Sequence, residues 1–450
     1  RDQPMGGLAA VCWLLTMAGS IGVFITADLA SFFMAYALVS LPAWGLVVLD
    51  DTGPARRAGA VYMSFAVLGE TLLLMGFALL AAASPGRSLL IQDVLAALGT
   101  SPWQGATIAL LIAGFGMKIA LVPVHIWMPP TYRAAPIPAA AVLSGAAVKA
   151  GVIGLIRFLP LASAMPAAGE ALAAVGLFGA FYGVAVGITE THPKTVLAYS
   201  SISQMGVIAT VLGMGLAGGD AAAGNAAAFY GMQHVLAKGA LFLAVGVAAG
   251  CGSGSRRLWP VLVPAAILAL GLGGLPLTGG GLGKFAVKAV LGKGQVGGFA
   301  IASAVASTLL MVHFLRRLAA FPRQGDEAGP GLAIPWWVMA AAAIVIPWAV
   351  LPLAGGVSRA AALAPTTLWA ALWPVLIGAV LSVLLFRFGN RLPELPEGDL
   401  IAVGSRLQPL AERAGRVFER GEGMLSRWPV AGIALLAVAI LLGAGMFAVR

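Results

Sequence analysis

The segment that decides the fold spans residues 114–157 and reads GFGMKIALVPVHIWMPPTYRAAPIPAAAVLSGAAVKAGVIGLIR. Lys118 and Lys149 lie inside its two apolar runs, and Pro123, His125 and a proline-rich turn separate them. A lysine in hydrocarbon is unfavourable unless it is paired, hydrated or deprotonated, so it is rarely there without a function. The segment therefore predicts an ion path that passes a broken membrane helix.

The composition supports a membrane protein. Hydrophobic residues make up 60% of the 450 positions and charged residues 10%, which excludes a water-soluble globular domain. Long apolar runs recur along the chain and strand-like alternation is absent, so we predict an all-α polytopic membrane protein with roughly thirteen spans.

Charge and cysteine usage narrow the function. The chain has 27 Lys and Arg against 17 Asp and Glu, but most basic residues fall in short loops. They indicate orientation in the cell inner (plasma) membrane rather than binding of nucleic acid. The cysteines Cys12 and Cys251 form no CxxC motif, and the histidines are scattered. We therefore expect no metal, no cofactor and no redox centre in this chain.

The apolar segments are predicted at about 8–26, 29–49, 59–83, 105–127, 139–160, 169–189, 195–216, 225–249, 259–291 (interrupted), 296–315, 334–354, 366–387 and 429–449. If these segments alternate sides, most loop arginines and lysines face one side, as the positive-inside rule requires. Because the chain starts at Arg1, without a methionine or a signal peptide, we expect amino-terminal sequence to be missing.

Two of these segments carry breaks: Pro123 interrupts the fourth, and Pro276 and Gly280, in the run GLGGLPLTGGGLGKF, interrupt the ninth. The breaks are five segments apart, so the second has the opposite topology, which favours an inverted repeat. Ordinary proline kinks are the alternative. The predicted units are a first five-helix repeat at 1–160, a second, inverted one at 161–320, two further spans at 321–390, an amphipathic surface segment or solvated connector at 391–428, and a final span at 429–450.

Ionisable residues inside the predicted spans are the candidate site. Besides Lys118 and Lys149 they are His234, Lys238, Lys284 and Glu70. His234 and Lys238 are four residues apart and share a helix face, where they can exchange a proton directly or through one water. Snorkelling to the interface is the alternative for each lysine. For His125 and His313 a structural or interfacial role is favoured, with His125 kept as a candidate accessory residue.

The sequence resembles the antiporter-like family, which comprises proton-pumping membrane subunits of complex I, membrane subunits of membrane-bound hydrogenases and formate hydrogenlyases, and large subunits of multisubunit sodium/proton antiporters. The matching runs, in family order, are KIALVPVHIWMP, PIPAAAVLSGAAVKAGVIGLIRF, KTVLAYSSISQMG, HVLAKGALFLAVG and GLPLTGGGLGKF. The resemblance implies a relay in which Lys118 belongs to the first broken helix, Lys149 connects, His234 and Lys238 are central, and Lys284 releases the proton at the second break.

Three positions depart from the family pattern. Ala37 stands where the family usually has a glutamate that pairs with the first lysine, Pro130 stands where an acid ends the turn, and Thr195 stands where an arginine is common. We expect Glu70, one helix later, to substitute as counterion of Lys118. The alternative is that Glu70 pairs with a neighbouring subunit or a lipid-facing water.

The predicted function is a proton-translocating subunit, with sodium exchange as an option, within a complex I-like or membrane-bound hydrogenase-type complex. Its expected partners are other membrane subunits, redox or antiporter subunits, and the lipid bilayer. Two alternatives stay open: a non-conducting membrane anchor of such a complex, and a proton-driven energising subunit for uptake of inorganic carbon.

Overall fold

A computed structural model describes residues 5–84, 86, 88–251, 255–292, 294–323, 329–354 and 357–388. Within these ranges the chain forms helices and no strand, and ten helices are long and apolar enough to cross a membrane. The prediction of an all-α, multi-pass membrane protein is confirmed. The predicted segments at 391–428 and 429–450 lie outside the described residues.

The helices follow in chain order: α1 (Met5–Ile25), α2 (Leu29–Val47), α3 (Gly53–Ala83), α4 (Ile91–Leu98), α5 (Gln104–Lys118), α6 (Met128–Ala134), α7 (Ile137–Val142), a π-helical turn (Leu143–Ala147), α8 (Val148–Phe158), α9 (Pro166–Gly187), α10 (Pro193–Gly218), α11 (Ala222–Gly250), α12 (Ser255–Gly273), α13 (Gly279–Leu291), α14 (Gln295–Ala319), α15 (Pro330–Val350), a 3₁₀ turn (Leu351–Leu353), α16 (Arg359–Leu363) and α17 (Pro365–Phe388). The short helices α4 and α16 were not predicted. The fourth predicted segment, 105–127, is helical only as far as Lys118.

The first break follows α5. Residues 119–127 leave the helix, and Ala120 has a φ of 57°, in the left-handed region that no continuing helix allows. Pro123 lies within this stretch and has no N–H to donate. The indole of Trp127 donates to the carbonyl oxygen of Met117 at 2.9 Å, which satisfies one group freed by the break. The helix therefore ends at a buried lysine.

The second break separates α12 from α13. Gly274 has a φ of 114°, and the Thr278 hydroxyl accepts from the N–H of Gly281 at 3.2 Å to cap α13. Pro276 lies between the helices, whereas Gly280 belongs to the first turn of α13. A Cβ at Gly280 would be 2.0 Å from the carbonyl oxygen of Gly271, so this glycine allows close packing on α12. The inverted relation of the two breaks stays a prediction.

The centre of the described part is α10, whose apolar stretch is buried on every side. It packs on α9 through small residues. A Cβ at Gly206 would be 2.4 Å from the carbonyl oxygen of Gly176, and one at Gly213 would be 2.6 Å from that of Gly169. Backbones of membrane helices approach this closely only where small residues face each other. This packing gives the polar residues of α10 and α11 a rigid support.

Candidate functional site

The central contact of the site joins α8 to α11. The Nζ of Lys149 lies 2.8 Å from Nδ1 of His234 and donates to the carbonyl oxygen of Ser144 at 3.1 Å. Both ionisable side chains are buried. A proton can occupy either of two groups at this distance, because the donor in one protonation state becomes the acceptor in the other.

The π-helical turn before α8 explains how Lys149 is held. A π turn carries one more residue than an α turn, and such turns are frequent at functional sites. Here the carbonyl of Ser144, five residues before Lys149, accepts the lysine amine. The Ser144 hydroxyl lies 3.5 Å from that of Ser201 on α10. The turn thereby fixes Lys149 against α10 and α11 together.

Lys238 lies two helical turns from Tyr230 and one from His234 along α11. Its side chain is fully buried, and Nζ donates to the carbonyl oxygen of Leu197 on α10 at 2.8 Å. His234 is hydrogen-bonded to Lys149 and not to Lys238, so the direct exchange expected from their spacing is not seen. Nε2 of His234 is buried without a hydrogen bond to any described residue.

Lys118, the last residue of α5, is buried beside α2 and α3. Its Nζ donates to the Ser40 hydroxyl at 2.7 Å and to the Tyr62 hydroxyl at 3.4 Å. It also lies 5.6 Å from the centre of the Tyr62 ring, within the range of a cation–π interaction. Glu70 borders the same small cavity. Helix α8 packs against the end of α5, because a Cβ at Gly151 would lie 3.0 Å from the Cβ of Lys118.

Lys284 occupies the second turn of α13 and is partly buried. The side chain of Lys284 packs on the second break, since a Cβ at Gly274 would lie 3.0 Å from its Cδ.

His125 is buried in the first break, with its ring centre 4.9 Å from that of Tyr182 on α9. His313 is bound at the loop after α9, where its Nε2 lies 2.8 Å from the carbonyl oxygen of Glu190.

Sequence reasoning missed a polar network between the central contact and the second break. The Tyr230 hydroxyl donates to Oε1 of Gln204, whose Nε2 donates to the Ser307 hydroxyl at 3.1 Å. A Cβ at Gly283 would lie 3.3 Å from Nε2 of Gln233 and equally far from the Tyr230 ring. Spacing on α11 could have revealed Tyr230, because it precedes His234 by four residues and shares its helix face.

Comparisons with known proteins identify relatives. The family profile described as "NADH:quinone oxidoreductase/Mrp antiporter, TM" matches residues 26–310. NADH-quinone oxidoreductase subunit N 1 of Solidesulfovibrio magneticus is 36% identical over 355 residues, which cover 73% of this chain and 74% of that protein. Hydrogenase-4 component B of Escherichia coli is 28% identical over 262 residues, covering 55% of this chain and 38% of that protein.

A solved structure shares the fold. A chain of the Mrp complex from Dietzia sp. superimposes with a TM-score of 0.75 at 24% identity, over 97% of this chain and 51% of that one. At this identity the likeness shows the fold alone. The chain thus spans about half of the Mrp subunit and less than half of the hydrogenase-4 component.

Proposed function

Because this chain belongs to the family described as NADH:quinone oxidoreductase/Mrp antiporter membrane subunits, we propose that it translocates protons through its buried lysines and histidine. The chain is an antiporter-like membrane subunit of the kind found in complex I, hydrogenase and Mrp complexes. Translocation by this chain, and exchange of sodium for protons, are proposals.

The contact between Lys149 and His234 is the observation that carries this proposal. Their 2.8 Å separation, deep among buried residues, puts two groups able to hold a proton in direct contact. Ionisable side chains at this depth are unfavourable and are mostly found on ion paths. A purely structural role would be filled as well by apolar side chains of similar volume.

The proposed path begins at Lys118, at the end of the first broken helix, and passes to Lys149 on the adjoining α8. From there it reaches His234 and Lys238 on α11 and ends at Lys284 beside the second break. Transfer between the separate sites needs water, because the described contacts join only Lys149 and His234 directly. The two breaks would be equivalent positions of two inverted repeats, 1–160 and 161–320.

The proposed setting is a multisubunit complex in the plasma membrane. A redox module in partner subunits, or a sodium gradient, would drive the protons, and this chain would only conduct. Purifying the complex through a tag on this chain and identifying the accompanying proteins by mass spectrometry tests the setting. Oxidoreductase or antiporter subunits support it, and purification as a single chain contradicts it.

The function itself is tested in liposomes that contain the purified complex, with an internal pH-sensitive dye. We expect Lys149→Met to reduce proton flux at least ~100-fold, the range for loss of a proton-transfer group. Lys288→Met, which removes an exposed lysine of α13, is the matched control and should keep the parent's flux. Absence of flux in the parent complex would favour a membrane anchor, and flux that requires bicarbonate would favour a role in carbon uptake.

A further inference from the structure

The amine of Lys118 is held by hydroxyl groups. Ser40 and Tyr62 accept its hydrogen bonds, and Tyr62 in turn donates to the carbonyl oxygen of Ser40 at 3.0 Å. Within the described ranges the ion pair shorter than 4.0 Å is between Arg56 and Asp51, at the surface, so no described carboxylate touches Lys118 directly. A buried ammonium group without a compensating negative charge is strongly unfavourable.

Glu70 is the acid that shares this environment. It lies on α3, two helical turns after Tyr62, and it borders a cavity of about 10 Å³ together with Ser40 and Lys118. Its Oε1 is buried there without a hydrogen bond to any described residue. A cavity of about this volume holds one water if polar groups surround it.

We propose that Glu70 is the counterion of Lys118 and that it acts through the Ser40 hydroxyl and one water molecule in this cavity. The proposal rests on the function proposed above and adds the positioning residue Ser40. The water would reach the free oxygen of Glu70 and the lysine amine, so that it makes the two or more polar contacts that a buried water needs.

The chemistry of a hydroxyl explains why Ser40 can couple the two charges. A serine hydroxyl has one proton to donate and two lone pairs to accept. One lone pair of Ser40 accepts from Lys118, and its proton is directed at the carbonyl oxygen of Tyr36, at 3.2 Å. Turning the hydroxyl from Tyr36 to Glu70 links the carboxylate to the ammonium group without moving a helix.

The pair can then hold its proton in two ways. In the first state Lys118 is an ammonium ion and Glu70 is a carboxylate. In the second, the ammonium gives a proton to the water, the water gives one to Glu70, and a neutral amine faces a neutral acid. No atom is gained or lost in this exchange, and the net charge of the pair is zero throughout. The exchange itself therefore leaves no unpaired charge in the membrane, and the pair changes its net charge only when a proton enters or leaves the site.

The experiment measures proton flux of the complete complex in liposomes for four variants. Ser40→Ala removes the hydroxyl, Ser40→Thr keeps it, Glu70→Gln removes the charge, and a double variant combines Ser40→Ala with Glu70→Gln. The control is Thr71→Val, one residue beyond Glu70, which removes an exposed hydroxyl bonded within α3. Size-exclusion chromatography verifies that each complex assembles; if Ser40→Ala does not, Ser40→Cys replaces it.

We expect Ser40→Ala and Glu70→Gln each to lower flux about 10- to 100-fold, the range expected for a hydrogen bond to a charged group. Ser40→Thr should recover most of the flux. The double variant should be no slower than Glu70→Gln, because both changes break the same link between Glu70 and Lys118. A merely structural role of Ser40 would instead give independent effects that multiply.

Three results would overturn the inference: parent flux in Glu70→Gln, parent flux in Ser40→Ala, or multiplying effects in the double variant. If Lys149→Met abolishes flux while Glu70→Gln does not, this inference fails alone. If the parent complex conducts no protons, the proposed function and the inference fail together.

Discussion

Nζ of Lys149 lies 2.8 Å from Nδ1 of His234, and the two side chains come from helices α8 and α11. The serine carbonyl of the π turn holds the lysine, while His234 has its second ring nitrogen directed elsewhere, without a described partner. An imidazole that accepts at one nitrogen and donates at the other can pass a proton through its ring. This geometry makes His234 the step after Lys149 on the proposed path.

The first prediction follows from this pairing. Lys149→Met and His234→Leu should each lower proton flux at least ~100-fold, and the double variant should be no lower than either. The measurement is dye-monitored flux in liposomes containing the complex. Lys288→Met, which removes an exposed lysine of α13, serves as the control. Independent, multiplying losses would show that the two residues do not act as one unit.

How much of the site the sequence could predict depended on how local each feature is. The buried lysines were predicted because they lie inside apolar runs, and the helix breaks because Pro123 and Pro276 interrupt such runs. Both signals are local in the sequence. The contact of Lys149 with His234 joins residues 85 positions apart, and spacing suggested Lys238 as the partner instead. No local pattern shows how α8 and α11 rotate against each other.

The second prediction concerns Gln233, whose amide nitrogen and oxygen are buried without described hydrogen bonds. Its amide nitrogen packs near Gly283, next to Lys284, so it lies between His234 and the second break. We expect Gln233→Leu to lower proton flux about tenfold, because the apolar side chain cannot hold water on this path. Melting temperature should stay equal or rise, since an unsatisfied amide is removed.

Lower proton flux together with an equal or higher melting temperature in Gln233→Leu would identify a role of this glutamine in transport. Met232→Leu, at the preceding position of α11, is the control and should leave flux unchanged. Lower melting temperature with parent flux in Gln233→Leu would instead assign the glutamine to packing.

The third prediction tests the contact of α9 with α10. A Cβ at Gly176 would lie 2.5 Å from the carbonyl oxygen of Gly206, which is backbone and cannot move aside alone. Gly176→Ala should therefore destabilise the complex by about 1–3 kcal/mol through overpacking. Gly218→Ala is the control at the open end of α10, where no atom lies within 4 Å of the added Cβ. Equal melting temperatures of the two variants would contradict close packing.

Glycines of this kind show another limit of the sequence. Gly169, Gly176 and Gly183 recur every seven residues in α9, which indicates a face of small residues. That pattern predicts a close helix partner but not its identity. The structure supplies α10, which adjoins α9 in the chain, because a short loop favours antiparallel neighbours.

The last prediction concerns Glu190, in the loop between α9 and α10. Burial raises the pKa of its carboxyl group from an ordinary 4.5 to about 7, and the nearby charge of Arg133 only partly opposes this. A raised pKa in the folded state means that the protonated acid favours folding. This contribution is fully present below pH 4.5 and is lost as pH rises through about 7. Glu190→Gln should therefore melt at a higher temperature than the parent at alkaline pH, with the difference shrinking toward acid pH.

The control is Glu170→Gln, which removes a carboxyl group at an exposed position of α9 and should leave the melting temperature close to that of the parent. If the difference in melting temperature between Glu190→Gln and the parent stays constant from about pH 5 to pH 8, burial does not raise the pKa of Glu190.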